Sequence, residues 1–466
     1  MGPVVARVRT TDMTIRLCIN SQTPPVQPIG RPPVGDGAVW RSGIDYTFPT
    51  GGLVPMMRAM VRSGLSAGWI APKPTWVALG VPGIPARVEL DEGFVVETVS
   101  LDPRDFAGYT RFKEAIWRSF HGPRGFRPSI RDQSAFVRYS ATSALGLLPH
   151  VPDTDLFYVN DFQQVLVGGL VGASAPALLR WHIPLDFRGY PEPVRRFFLK
   201  SMEGFDGIVV STRAGLEELF GAGYQGQAFQ VYPYFDPANF RAPSPSASAE
   251  LRDRFDLGEG PVLLSVGRMD PVKRQDLAIR ALVKLRRSFP EVRLLLVGGG
   301  SFTTRGLGSR KASAWRAHLA KTVRRYRLQE HVIFTGTLPA PLLNAAYQAC
   351  DVFVHPAPYE GFGLVAVEAW THRRPVVLSR GAGCSELVED GLNGYTTPPN
   401  SVPEIARRVE DLLRHPEEAT RMGEAGRLTA RRCEVDRAMP HLREVFRRTI
   451  EAFGRPRGRR RGARSW

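Results

Sequence analysis

The 466-residue chain is 43% hydrophobic and 23% charged, the composition of a folded globular protein rather than a disordered or fibrous one. One ordinary core serves roughly 100 to 200 residues, so two large domains are expected. The formal net charge of +17 attracts phosphates and anionic surfaces, but no recognition helix or aromatic RNA platform accompanies it, and nucleic acid is not expected as a partner.

The four cysteines, Cys18, Cys350, Cys384 and Cys433, lie far apart with no C-x-x-C pair and no zinc-like spacing to histidine, so reduced thiols and no metal site are expected. No apolar run reaches the roughly 18 residues that a spanning helix needs, and the first twenty residues lack a signal-peptide core. A cytoplasmic location is the expectation.

Short apolar runs at 13–20, 156–160, 178–183, 207–211 and 229–233 alternate with longer amphipathic stretches, which predicts βαβ units on a parallel sheet. Between the first two runs, Phe48-Pro-Thr-Gly51-Gly52-Leu opens an amphipathic helix with a glycine-rich turn. A second helical stretch carries Tyr109, Trp117 and His121. Asp161 and His182 each stand at a strand end. The small-residue stretch 242–249 has the composition of a linker. The pattern then restarts with continuously apolar runs at 261–267, 292–300, 331–336, 351–356 and 374–379, as expected for a parallel sheet buried on both faces. The resulting expectation is an α/β protein of two Rossmann-like doubly wound domains facing a central cleft: 1–242, 243–435, a returning helix over 436–453, and a basic tail over 454–466. That tail, with arginines from Arg455 to Arg464, suits loose adhesion to an anionic surface.

Two turns carry chemistry. Ser265-Val-Gly267-Arg268-Met-Asp-Pro-Val-Lys273 follows a strand and leads into a helix at about Gln275; helix N-termini and fixed cations there suit a diphosphate. Glu360-Gly-Phe362-Gly363-Leu364-Val-Ala-Val-Glu368 follows another strand, where glycines admit close approach and two carboxylates can accept hydrogen bonds from sugar hydroxyls.

Together these two turns resemble the retaining family-four glycosyltransferases of the GT-B fold over about 261–413. By that resemblance Gly267, Arg268 and Lys273 hold the donor diphosphate, Glu360 the transferred sugar and Glu368 the ribose, while Phe362, Gly363 and Leu364 offer backbone N–H groups. Gly383, Ser385 and Glu386 fall where that family shapes the nucleotide wall. The first half, in the order Gly-Gly-Leu, Tyr109 to His121, Asn160-Asp161 and Arg180-Trp-His182-Ile, is similar to trehalose 6-phosphate synthases and trehalose glycosyltransferring synthases. The resemblance implies donor contacts for Gly51 and Gly52 and an acceptor site of Gln22, Tyr109, Trp117, Asp161 and His182, with Asp161 and His182 joining Arg268, Lys273 and Glu360 in catalysis.

Those synthases carry an arginine after the first strand where this chain has Gln22, which favours an unphosphorylated acceptor such as glucose over glucose 6-phosphate. The implied reaction transfers glucose from a nucleotide diphosphate glucose, with no cofactor, to give trehalose or a related α-glucoside. A transferase making another compatible solute, a glycolipid or a polysaccharide is the alternative, and a non-catalytic sugar-nucleotide-binding regulator is a second. The donor base and oligomeric state stay open.

Overall fold

The computed structural model describes residues 13–35, 38–49, 52–122, 129–188, 190–300 and 307–453. Gly51 and the basic tail lie outside these residues.

Two sheets organise the chain. The first has nine strands; Leu17–Ser21 sits between Leu156–Asn160 on one side and Thr75–Leu79 on the other. All its pairings are parallel except Arg87–Leu90 against Val95–Val99. The second has six parallel strands in the order 3-2-1-4-5-6, with Val262–Val266 between Arg293–Val297 and Val352–His355. Each sheet thus reverses strand order at its first strand, and such reversals open a crevice beyond the carboxyl ends of the strands.

Alternate residues of each strand serve opposite faces, because side chains repeat with period two. Leu17 and Ile19 enter one core while Cys18 enters another. In the second sheet, Leu295 and Val297 face one cluster, and Leu294 and Leu296 the other. Burial on both faces explains why these strands read as unbroken apolar runs. The four strands of the first sheet that periodicity did not reveal, Val39–Trp40, Thr75–Leu79, Arg87–Leu90 and Val95–Val99, are short or flanked by prolines and a tight turn.

The stretch 242–249 is not a simple linker. Helix Pro245–Arg254 begins inside it, with Pro245 at the first helical position and the Ser244 hydroxyl accepting from the Ala247 N–H at 3.1 Å; serine followed by proline is a helix start as well as a loop composition. The last helix, Val435–Ala452, buries Ala438, Leu442 and Phe446 against the first sheet's core.

Candidate functional site

The first strand of the second sheet ends at Val266, and the chain turns through Gly267 and Arg268 into a short 3-10 turn, Pro271–Lys273, then helix Gln275–Leu285. Asp270 caps the turn, accepting from the Val272 N–H at 3.1 Å, and its other oxygen binds Lys311 at 2.8 Å. The turn is held by local bonds, so Arg268 and Lys273 project with little freedom.

Strand Val352–His355 leads to Glu360, and Lys273 donates to the Glu360 carboxylate. His355 lies 3.6 Å from the same oxygen. Burial resists ionisation of Glu360, but Lys273 and His355 outweigh it and hold the carboxyl well below its ordinary range. His355 is a site residue that sequence reasoning does not single out; its signal is the polar residue closing an otherwise apolar strand.

Two glycines here are required by geometry. Gly363 adopts φ +97° as the residue before helix Leu364–Thr371, a backbone region that L side chains avoid. A Cβ on Gly361 would sit 2.0 Å from the His182 carbonyl oxygen of the first half. Gly361 itself has no left-handed backbone, so its role is closeness alone. Gly361→Ala is expected to lower turnover on the order of 100-fold, the cost of misplacing reacting groups by about 1 Å, and to lower the melting temperature because the His182 backbone must give way, while circular dichroism stays near wild type. An unimpaired rate would show that this contact is not needed.

Glu368 lies in helix Leu364–Thr371 and accepts from the Tyr347 hydroxyl at 2.6 Å. Burial raises its pKa, partly offset by that hydrogen bond. Phe362 is buried against Tyr232, 5.7 Å between ring centres, so its backbone rather than its side chain is available to a ligand. The first N–H groups of the helix after Gly363, beginning at Leu364, lie outside its internal ladder. Glu386 accepts from the Arg213 N–H at 3.1 Å, a bond between the halves.

From the first half, Asp161 follows strand Leu156–Asn160 with φ +73° and ψ +169°. Such a conformation in a non-glycine residue is strained and points to function. Its Oδ1 accepts from the His182 N–H at 3.3 Å. Burial raises its pKa to about 6, against the pull of the Phe162 and His182 N–H groups and of Arg268. The His182 Nε2–H donates to Asn160 Oδ1 at 3.1 Å, and Asn160 in turn donates to the Asn20 and Tyr158 carbonyls. Burial, with Arg180, holds His182 well below its usual pKa and hence neutral. Asn160 is thus the residue that orients His182.

Arg268 stacks over Trp117, 5.0 Å from the ring centre, a cation–π contact across the cleft. Trp117 also stacks on His121, 3.7 Å between ring centres. His121 donates from Nδ1 to the Trp117 carbonyl at 2.9 Å. Burial lowers its pKa to about 4 despite the opposing field of Glu360, so it presents a neutral Nε2. His121 belongs with the site although sequence reasoning gives it no role.

Tyr109 does not reach the cleft. It is fully buried, 4.1 Å from Tyr139 and 6.2 Å from Phe136 between ring centres. The expected acceptor contact is corrected: Tyr109 lies toward the N-terminal end of helix Pro103–Phe120, where helix Ile130–Leu147 covers it. Gln22 is 7% exposed just past the first strand. Gly52 precedes helix Leu53–Ser66 at φ +70°, and a Cβ there would meet no atom within 4 Å. A Cβ on Gly267 would stand 3.8 Å from the Lys273 side chain. Among the described residues no group of three or more His, Cys, Asp or Glu is placed to hold a metal ion, and no helix is long and apolar enough to cross a membrane.

Two doubly wound sheets with a cation-lined crevice between them make this a GT-B fold. Residues 248–429 match the family model described as glycosyl transferases group 1. A GDP-mannose-dependent α-(1-6)-phosphatidylinositol monomannoside mannosyltransferase of Mycolicibacterium smegmatis is 35% identical over 247 residues, covering 50% of this chain and 60% of that one. An α-D-kanosaminyltransferase of Streptomyces kanamyceticus is 32% identical over 200 residues, 43% of this chain and 48% of the relative. The chain therefore spans about three fifths of the first relative's length and half of the second's. Among solved structures, α,α-trehalose 6-phosphate synthase from Burkholderia multivorans aligns with a TM-score of 0.74 at 20% identity, covering 94% of this chain and 98% of that one. Anabaena HepE in complex with UDP and glucose aligns at 0.65 and 19%, covering 93% and 99%.

Proposed function

We propose that the protein is a retaining glycosyltransferase that moves a hexose from a nucleoside diphosphate sugar to an acceptor held by the first half. One observation carries the reading: Lys273 is locked to Glu360 while Arg268 is held over Trp117 and within the field of Asp161, so two cations and a sugar-binding carboxylate converge from two strand ends. The acceptor hydroxyl attacks the anomeric carbon from the face the diphosphate leaves. The carbon–oxygen bond to phosphate breaks as the new glycosidic bond forms, and the hydroxyl proton passes to the departing phosphate oxygen. Lys273 and Arg268 stabilise the charge that grows there, without a metal as a required participant. Glu360 orients the sugar hydroxyls and Glu368 the ribose.

The named relatives act with GDP-mannose or kanosamine chemistry, whereas HepE was crystallised with UDP and glucose; both nucleotides therefore belong in the test. Purified protein is incubated with UDP-glucose, ADP-glucose, GDP-glucose or GDP-mannose and candidate acceptors, and nucleoside diphosphate release and the product's anomeric configuration are measured. An α-linked product supports retention. A protein that binds these donors without hydrolysis or transfer is a regulator, and the reading fails.

A second, narrower reading is transfer of glucose to glucose or glucose 6-phosphate to form trehalose. Asp161, His182 and Trp117 favour it, because their segments stand in the order seen in trehalose-forming enzymes; Asn160 departs from that pattern, standing where those enzymes have a histidine. With Tyr109 in the core, this reading rests on fewer residues than the donor site. Formation of trehalose or its phosphate from either acceptor tests it directly.

A further inference from the structure

Helix Pro103–Phe120 places Lys113 and Trp117 one turn apart. Trp117 meets Arg268, so this stripe faces the second half. Lys113 is 4% exposed, an unusual state for a lysine with no carboxylate within hydrogen-bond reach. Its ammonium is 4.0 Å from Glu114 Oε1, beyond hydrogen-bond reach, and 5.9 Å from the Tyr109 ring centre.

The neighbours worsen the imbalance. Lys311 approaches from the second half, 3.9 Å from Glu114 Oε2 and 2.8 Å from Asp270 Oδ2. Asp270 is already engaged by Lys311 and by the Val272 N–H. Lys113 and Lys311 therefore share Glu114, while Arg268 acts on Asp161 and Asp270. Burial lowers the Lys113 pKa to about 8; Glu114 favours the charged form, and Arg268 and Lys311 oppose it. A buried ammonium repelled by two cations is costly unless an anion joins them.

We propose that Lys113 is a phosphate ligand, closing an anion subsite with Arg268 and Lys311 across the cleft between the two halves. The proposal rests on the cleft being a nucleoside diphosphate sugar site. The phosphoryl group it takes comes either from the donor diphosphate or from a phosphate on the acceptor, the second of which reverses the expectation drawn from Gln22.

The experiment compares wild type, Lys113→Met and Lys113→Arg by calorimetric titration with UDP, GDP and ADP, then with inorganic phosphate added to the nucleotide-loaded protein. Thermal melts accompany each, and Lys113→Met is expected to melt no lower than wild type because it removes a buried charge. Loss of one charge-assisted contact weakens binding roughly tenfold to a hundredfold. If Lys113 serves the donor, nucleoside diphosphate binding weakens by that factor in Lys113→Met and recovers in Lys113→Arg. If it serves an acceptor phosphate, nucleotide binding is unchanged and inorganic phosphate binding to the loaded protein is lost. In either case wild-type affinity falls between pH 7 and 9, and Lys113→Arg removes that fall. Equal affinities in wild type and Lys113→Met for both probes overturn the proposal alone. A wild type that binds none of the nucleotides overturns the donor-site reading and this proposal with it. Should Lys113→Met fail to fold, the pH dependence of wild type against Lys113→Arg decides.

Discussion

Lys273→Ala is expected to lower kcat/KM roughly 100- to 1,000-fold, the loss seen when one preorganised donor to a developing anion is removed. Its stability should fall as well, since Lys273 and Glu360 are each 16% exposed at the side chain and form a close ion pair. Breaking one side of a buried pair costs about 3 kcal/mol, because the remaining charge is stranded. The Glu360 carboxyl should then titrate higher, with burial left unopposed except by His355. Combining Lys273→Ala with Glu360→Gln should restore most of the stability and none of the activity. Steady-state rates and denaturant melts on the three variants check this. Full turnover in Lys273→Ala would remove it from the donor site.

Asp161→Asn is the second large effect, and it separates stability from activity. The carboxyl has a pKa near 6 against an ordinary 3.8. Below about pH 4 it is protonated whether the chain is folded or not, and the shift costs nothing. As pH rises from there through 6 the unfolded chain ionises first and the folded protein resists, so up to about 3 kcal/mol of stability is lost. Asparagine meets the same backbone strain at φ +73° and ψ +169° as Asp161 does and has nothing to ionise. The variant should therefore be more stable than wild type at pH 8 and no more stable at pH 4. Activity should fall, and the acid limb of kcat/KM near pH 6 should disappear with it. A variant that is destabilised at pH 8 would contradict the burial cost; one that keeps the acid limb would assign that titration elsewhere.

The two turns that we propose hold the donor are legible in the primary structure because each of their parts is local. Gly267 to Lys273 and Glu360 to Glu368 each follow one apolar strand and precede one helix, so period, glycine and charge mark them within a dozen residues. His355 escaped because a histidine closing a buried run looks like any polar strand end. The proposed acceptor side is less legible. Tyr109, Lys113 and Trp117 are spaced one turn apart on a single helix, and spacing identifies a stripe without saying how much of it a neighbouring helix covers. Helix Ile130–Leu147 covers the end bearing Tyr109 and leaves Trp117 at the cleft.

Strand periodicity and the two glycine-rich turns were enough to specify two doubly wound sheets and the two turns proposed for the donor, since those features depend on neighbours in the chain. The opposition of Lys113 and Trp117 to Arg268 and Lys311 and the approach of Gly361 to His182 arise only when the halves meet. Each depends on burial and on groups more than a hundred residues apart along the chain, and neither quantity is written in local sequence.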